Sequence, residues 1–271
     1  MLHIWDTIIV GGGPAGLSAA LILGRCCRNV LLVDEGRQRN RFAATMHGFL
    51  TRDGVSPQDF LTTAREQLRP YDTVRSIQDV AKNAVCLGRE FAVTLGKHEP
   101  SRTRSLLLAT GVIDHLPPLQ GIEPLYGKSV HHCPYCDGWE WRHHRIAAYG
   151  NGDDKGGGLA LLLGQWSNDV LLFTDGPAEL STGMQDRLRQ RNVSIYEAKV
   201  SRLDAEGARL KCVVLSDGNS VACNALFFNT GQHQRSPLAS RLGCKFTDRG
   251  GVDAGELDVT TDIEGCSLLA M

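Results

Sequence analysis

An excess of charge of either sign is missing from this chain. Its 29 lysines and arginines stand against 30 aspartates and glutamates, a formal net charge of −1. The clustered basic surface that nucleic-acid phosphates require is therefore not expected. Long apolar runs are also lacking, and none approaches the ~18–20 residues that cross a bilayer. Met1-Leu2-His3-Ile4-Trp5-Asp6 has neither the basic segment nor the apolar stretch of a secretory leader. The expectation is a cytoplasmic protein with no membrane and no nucleic-acid partner. Hydrophobic residues make up 42% of the 271 positions, enough for a full core, which excludes a disordered chain. That length suits one large domain or two ordinary ones. Glycine and cysteine, by contrast, are plentiful, at 30 and nine. Without a leader, nine cysteines do not read as a disulfide framework, so reactive or metal-binding thiols deserve scrutiny.

The first informative stretch is Thr7-Ile8-Ile9-Val10, a strand-like run that stops at Gly11-Gly12-Gly13-Pro14-Ala15-Gly16. Leu17–Gly24 is rich in alanine and leucine, as a helix would be, and Asn29–Val33 reads as a second buried strand ending in Asp34. Gly11, Gly13 and Gly16 form G-x-G-x-x-G, with the acid about 20 residues further on, as a dinucleotide-binding turn requires. Gly11 permits the tight turn, Gly13 lets backbone approach a pyrophosphate, and Gly16 lets helix and strand close up. The helix N-terminus then faces the phosphates, and Asp34 can accept from a ribose.

The pattern recurs at Arg145–Gly152, where a strand runs into Gly150 and Gly152, followed by a helical stretch from Leu159 and another strand, Asp169–Phe173. Leu106–Gly111 and Leu226–Gly231 each close a unit with a strand and a Thr-Gly turn. The fold class expected is α/β, with two Rossmann-like dinucleotide-binding domains, the second inserted in the first. Leu116-Pro117-Pro118-Leu119 suits the outward linker and Arg241-Leu242-Gly243 the return. The second copy is poorer, because Lys155 stands where the third small residue belongs, although Gly156 follows. After its second strand, Thr174-Asp175-Gly176-Pro177-Ala178-Glu179 offers acids where a 2′-phosphate would need arginine. NADH or a second flavin nucleotide fits that charge better than NADPH.

Between the copies lies His131-His132-Cys133-Pro134-Tyr135-Cys136-Asp137-Gly138-Trp139. Thiols spaced C-x-x-C can close a disulfide without moving backbone, Pro134 suits a first helical position, and Asp137 could carry a proton as the disulfide opens. Three readings stand: a redox dithiol, a zinc site completed from His131, His132, His143 or His144, and two small buried residues. A glutaredoxin-like protein is excluded, since its Cys-Pro-Tyr-Cys belongs near the start of a short fold.

These residues resemble the low-molecular-weight thioredoxin reductase family of FAD-dependent disulfide oxidoreductases over nearly the whole chain. Gly11–Gly16 matches the family's FAD loop, Ala109-Thr110-Gly111 its Ala-Thr-Gly turn, and Cys133-x-x-Cys136-Asp137-Gly138 its dithiol. Cys-Pro-Tyr-Cys-Asp-Gly-Trp-Glu is closer to a bacterial branch and to relatives that oxidise dithiol natural products. The resemblance implies FAD bound by residues 1–115 plus 245–271, through Gly11, Gly13, Pro14, Ala15, Gly16, Asp34, Ala109, Thr110 and Gly111. Asn40, beside Arg37, Arg39 and Arg41, and Val80, at a strand position near the adenine, are added by the same carry-over. It also implies a nicotinamide-binding-like domain, 116–244, with Gly150 and Gly152 in its turn, NADH or NADPH as donor, and no resident metal. Electrons would pass from nicotinamide through FAD to Cys136 on the flavin side. Cys133 would then attack the external disulfide, with Asp137 as acid and base. A homodimer, a rotation of the second domain, and a thioredoxin-like protein or small-molecule disulfide or dithiol as partner complete the implication.

Two departures qualify it. The second unit lacks the basic cluster of NADPH-using members. Thr260–Gly265 matches a segment that, in the family, precedes an apolar strand and a Gly-Asp pair, whereas Cys266–Met271 comes where that pair is expected. Truncation, weakened FAD retention and lowered stability of the first domain are the resulting expectations. The rivals are an FAD- and oxygen-dependent dithiol oxidase, a catalytically silent nucleotide-binding protein, and a zinc-stabilised protein. Cys26, Cys27, Cys86, Cys212, Cys223, Cys244 and Cys266 read as ordinary packing or surface residues. Trp139 and Trp141 read as a strand or turn covering the dithiol.

Overall fold

A computed structural model of the chain describes residues 3–253 and 263–268. Two compact units are present: one contains the chain up to Arg41, Gln58–Ile113 and Gln232 onward, the other Phe42–Pro57 and Asp114–Gly231.

The first unit begins β1 (Ile4–Val10), α1 (Pro14–Arg25), β2 (Val30–Asp34), α2 (Pro57–Leu68), β3 (Val74–Gln78). A hairpin of β4 (Ala81–Cys86) and β5 (Phe91–Leu95) leads into β6 (Ser101–Leu108), and the order in the sheet is β3-β2-β1-β6-β5-β4. β1 is parallel to both neighbours, with Ile8 opposite Leu31 and Leu106. Both faces of these strands are covered, which explains the unbroken apolar runs of β1 and β2. Ile8, Val10, Leu31 and Val33 pack with Phe91 and Leu106 on one face, while Ile9, Val30 and Leu32 pack with Leu17, Ala20 and Leu61 on the other.

The second unit follows β7 (Val112–Asp114). It runs β8 (Val130–His131), α3 (Pro134–Asp137), β9 (Ile146–Tyr149), a π turn over Asp153–Gly158, α4 (Leu159–Leu163), β10 (Val170–Phe173), α5 (Thr182–Gln190) and β11 (Ser194–Tyr196). An antiparallel sheet of β12 (Val200–Glu206), β13 (Arg209–Leu215) and β14 (Ser220–Ala222) precedes β15 (Ala225–Phe228). The parallel sheet has the order β11-β10-β9-β15-β8. It repeats the first unit's logic: the opening strand lies between the strand that follows the helix and the strand that ends in Thr-Gly. Two Rossmann-like α/β units are thus observed.

Three placements differ from the sequence reading. The chain is already back in the first unit at β16 (Gln232–Gln234) and α6 (Leu238–Arg241), well before Arg241–Gly243. The reason is apolar: Leu238, Ala239 and Cys244 are buried in the cluster that contains Ile8 and Val10. Phe42–Pro57 belongs to the second unit, where the Phe42 ring lies 5.5 Å from that of Tyr126. Lys155 does not spoil the second glycine turn. A Cβ on Gly156 would collide with the carbonyl oxygen of Gly150, as one on Gly16 would with that of Gly11. Gly156 therefore fills the third-glycine role, and the extra residue is absorbed by the π turn. β17 (Cys266–Leu268) pairs in parallel with the second half of β6, so a strand stands where the Gly-Asp pair is expected. Thr260, Thr261 and Asp262 lie outside the described residues, as do Leu269–Met271.

Asp79, unremarked in the sequence, is 3% exposed just after β3. It accepts hydrogen bonds from the backbone N–H groups of Val80, Gly96, Lys97 and His98, and its Oδ2 lies 2.7 Å from His98 Nδ1. Burial alone would raise its carboxyl. The His98 ring and the backbone donors outweigh that and hold it well below the usual carboxylate range. Asp79 is thus a staple between the ends of the hairpin. Asp79→Asn is expected to lower the melting temperature at neutral pH. A depressed carboxyl contributes fully above its unfolded pKa and loses that contribution as pH falls. The gap from wild type should therefore shrink below pH ~4, which thermal melts of both proteins across pH would measure.

Candidate functional site

The first glycine turn is shaped by collisions that only glycine avoids. A Cβ on Gly11, whose φ is +114°, would strike the carbonyl of Ala109, and one on Gly12 would lie 2.5 Å from the Asp34 carboxyl carbon. Gly13 is different. Its φ of −79° suits any residue, and a Cβ there would meet nothing within 4 Å. Neither conformation nor protein packing demands glycine at this position, which leaves open space beside backbone. Pro14 sits in the first turn of α1, and no side chain caps that helix, so its leading N–H groups remain available to an anion. Ala109 N donates to Val10 O at 2.8 Å, joining the Ala-Thr-Gly turn to the same loop. Asp34 Oδ1 accepts from Gly36 N and Oδ2 from Arg65 at 3.0 Å. The turn fits a dinucleotide such as FAD. Asn40 lies in an exposed turn, and Val80 lies between β3 and β4, outside either strand, with 41% of its surface exposed.

The second turn keeps the glycines and an uncapped helix start, but side chains tie its loop to residues 177–181. Asn151 Oδ1 accepts from Gly152 N and Glu179 N, its Nδ2 donates to Pro177 O, and Asp153 Oδ1 accepts from Ser181 N. These bonds with Ser181 hold the Asp153 carboxyl below its ordinary value. Asp153 and Asp154 occupy the first turn of the following helix, where a diphosphate would meet like charge. Asp175 is also engaged: Tyr149 donates its hydroxyl to Oδ2, and Val200 N donates to Oδ1. Burial and then the Asp175 carboxylate push the Tyr149 phenol well up.

Cys133 and Cys136 are joined in a disulfide with Cα atoms 5.3 Å apart. Cys133 caps the one-turn helix α3 in extended conformation, and Pro134 takes its first position, buried. Cys136 is exposed and Cys133 half-buried. Gly138 is required because a Cβ would lie 2.5 Å from the Pro134 carbonyl oxygen and 2.8 Å from the Trp166 ring. The disulfide takes both thiols that a zinc site would need. Among the described residues, no group of three or more His, Cys, Asp or Glu stands together as a metal site. Trp139 is exposed, with the Arg142 guanidinium 4.2 Å from its ring, while Trp141 is half-buried in the turn that follows.

Sequence reasoning missed several groups here. Tyr126 OH donates to Asp114 Oδ2 and lies 3.1 Å from His132 Nδ1, beside the dithiol segment. His131 Nδ1 lies 3.2 Å from Asp137 Oδ1. The His-His pair preceding Cys133 was the available signal, but only the strand pairing decides where each ring goes.

Comparison with known proteins now bears on this geometry. The chain matches the family described as pyridine nucleotide-disulphide oxidoreductase over residues 5–264. It is 33% identical over 274 residues to a probable thioredoxin reductase of Arthroderma benhamiae, covering 89% of this chain and 67% of that one. Superposition on the crystal structure of HlmI gives a TM-score of 0.93 at 34% identity, covering 100% of this chain and 86% of that chain. A putative thioredoxin reductase TrxB from Bacillus anthracis gives 0.89 at 29%, covering 97% and 88%. The chain belongs to the pyridine nucleotide-disulphide oxidoreductase family, as a thioredoxin reductase-like enzyme of the kind that binds FAD and uses NAD(P)H.

Proposed function

We propose that this enzyme exchanges electrons with an external disulfide through Cys133 and Cys136. The observation that carries the reading is the disulfide itself, closed on a one-turn helix with Cys136 open to solvent. FAD, when bound, supplies the two-electron chemistry that links a nicotinamide hydride donor to the dithiol. The first unit would hold it, through Gly11, Gly13, Pro14, Ala15, Gly16, Asp34, Ala109, Thr110 and Gly111, with Asn40 and Val80 at its periphery. Gly13 leaves the backbone bare, and the uncapped N–H groups of α1 would take phosphate oxygens. The second unit is the nicotinamide-like one, with Gly150 and Gly152 in its turn. Cys133 attacks the external disulfide, Cys136 resolves the mixed disulfide, and Asp137 carries the proton. The partner in this reading is a thioredoxin-like protein or a small-molecule disulfide, met by a cytoplasmic homodimer.

A second reading is favoured by one observation, the acidic start of the second turn's helix, with Asp153 and Asp154 in its first turn. It makes the enzyme an oxygen-dependent oxidase of a small dithiol, indifferent to nicotinamide. Anaerobic addition of NADH or NADPH separates the two. Loss of the flavin colour supports the reductase, whereas colour retained with nicotinamide but lost with a dithiol supports the oxidase.

Two sets of variants test the site. Cys133→Ser and Cys136→Ser should each reduce disulfide turnover to background, and Cys136→Ser alone should trap a mixed disulfide visible by mass spectrometry. Trapping by Cys133→Ser instead would reverse the two roles. Gly16→Ala should destabilise the fold by roughly 1–3 kcal/mol or more through overpacking. Gly13→Ala should leave the melting temperature of the flavin-free protein unchanged while lowering the FAD that survives gel filtration.

A further inference from the structure

We infer that His131 is a positioning residue for Asp137, and that the indole of Trp141 decides which nitrogen of His131 carries the proton. The inference rests on the dithiol reading above and deepens it.

His131 ends β8, where sheet register sets it opposite Phe227. Its ring stacks on Phe227, with centroids 5.3 Å apart and planes 28° apart, and the residue is 4% exposed. The imidazole can therefore neither turn freely nor reach water. Trp141 Nε1 donates to His131 Nε2 at 3.0 Å. An indole N–H can only donate, so Nε2 presents its lone pair and the ring proton belongs on Nδ1. Nδ1 in turn faces Asp137 Oδ1 at 3.2 Å, and it has no aligned hydrogen-bond partner. A buried N–H aimed at a carboxyl group without a satisfied bond is costly, and a small rotation of Asp137 removes that cost. Trp141, His131 and Asp137 thus form a chain of one donor-only group, one locked ring and one carboxyl group, and Asp137 directly follows Cys136.

The proton accounting assigns each group a task. The Cys133 thiolate attacks one sulfur of R–S–S–R′, forming the Cys133–S–S–R bond and breaking the bond to R′S⁻. The Asp137 carboxylate, held by the His131 Nδ1–H, takes the proton of Cys136 and passes it to R′S⁻, which leaves as R′SH. The Cys136 thiolate displaces RS⁻ from Cys133 and re-forms the enzyme disulfide. The dithiol is oxidised by two electrons, the external disulfide is reduced by two, and Asp137 ends as it began. His131 exchanges no proton; it holds the carboxylate in place between the two transfers.

The experiment uses two disulfides that differ in their need for a proton. Cystamine releases a basic alkyl thiolate, whereas dithiodipyridine releases a delocalised thiolate that leaves without a proton donor and takes its proton on nitrogen from water afterwards. The protein, reduced with dithiothreitol and desalted, is mixed with each. The reaction of the exposed Cys26, Cys27 and Cys86, measured in the Cys133→Ser/Cys136→Ser protein, is subtracted. His131→Leu should slow the cystamine reaction by about tenfold or more and leave the dithiodipyridine rate unchanged. His131→Asn, which places an amide N–H near Nδ1, should restore most of the cystamine rate. In the wild-type protein, ¹⁵N spectra of the histidine rings should show His131 with its proton on Nδ1, and Trp141→Phe should disturb that signature. Equal slowing with both disulfides, no slowing with cystamine, or a proton on Nε2 would each overturn the assignment. A double serine variant that reacts with both disulfides as wild type does would sink the dithiol reading itself.

Discussion

How closely a helix can approach the strand that feeds it decides the shape of both units. At Gly16 and at Gly156, the helix runs so near the preceding turn that a methyl group would enter a carbonyl oxygen. That proximity points the helix N-terminus at the end of the parallel strands, where α/β folds receive their ligands. Gly11 is held to the same tolerance by Ala109, so the turn after β1 and the turn after β6 form one surface. Burial of both faces of β1, β2 and β6 then makes the sheet rigid enough to hold it.

The two turns share this constraint and differ in what surrounds them. In the first, Gly13 faces empty space and α1 begins without a side-chain cap. In the second, one extra residue is taken up as a π turn, and the side-chain oxygens of Asn151 and Asp153 accept from the N–H groups of Gly152, Glu179 and Ser181. The second turn's acids near the helix start add like charge where a diphosphate would come.

The dithiol depends on the same sheet. β8 is a two-residue edge strand whose pairing with β15 buries His131 and delivers the chain to Cys133 in extended conformation. Pro134 then starts a helix too short to carry much dipole, so the surroundings of the thiols come from side chains. Tyr126 with Asp114 and His132 lies beside that segment, and Trp141 with His131 and Asp137 follows from it. Trp166 presses on Gly138 and fixes the turn after Asp137.

Much of the architecture was legible in the amino-acid order. The glycine spacings, the alternation of apolar runs with an Ala/Leu-rich helix, the repeated Thr-Gly endings and the Cys-Pro-Tyr-Cys segment are local features, and local sterics and hydrogen bonding suffice to interpret them. What was misjudged depended on distant partners. Lys155 looked like a defect because its remedy, a π turn, is a property of the packed helix. The return of the chain was set too late because Leu238 and Ala239 become core only when β1 and β6 lie beneath them. Asp79 carried no signal in the sequence, because the N–H groups of residues 96–98 reach it only through the hairpin. The sequence by itself determined the two nucleotide-type turns and the paired thiols, since each is written in neighbouring residues. Tertiary structure alone decided which residues tie down the second turn and which carboxyl and ring meet beside the thiols, because the first is set by residues 177–181 and the second by the pairing of β8 with β15.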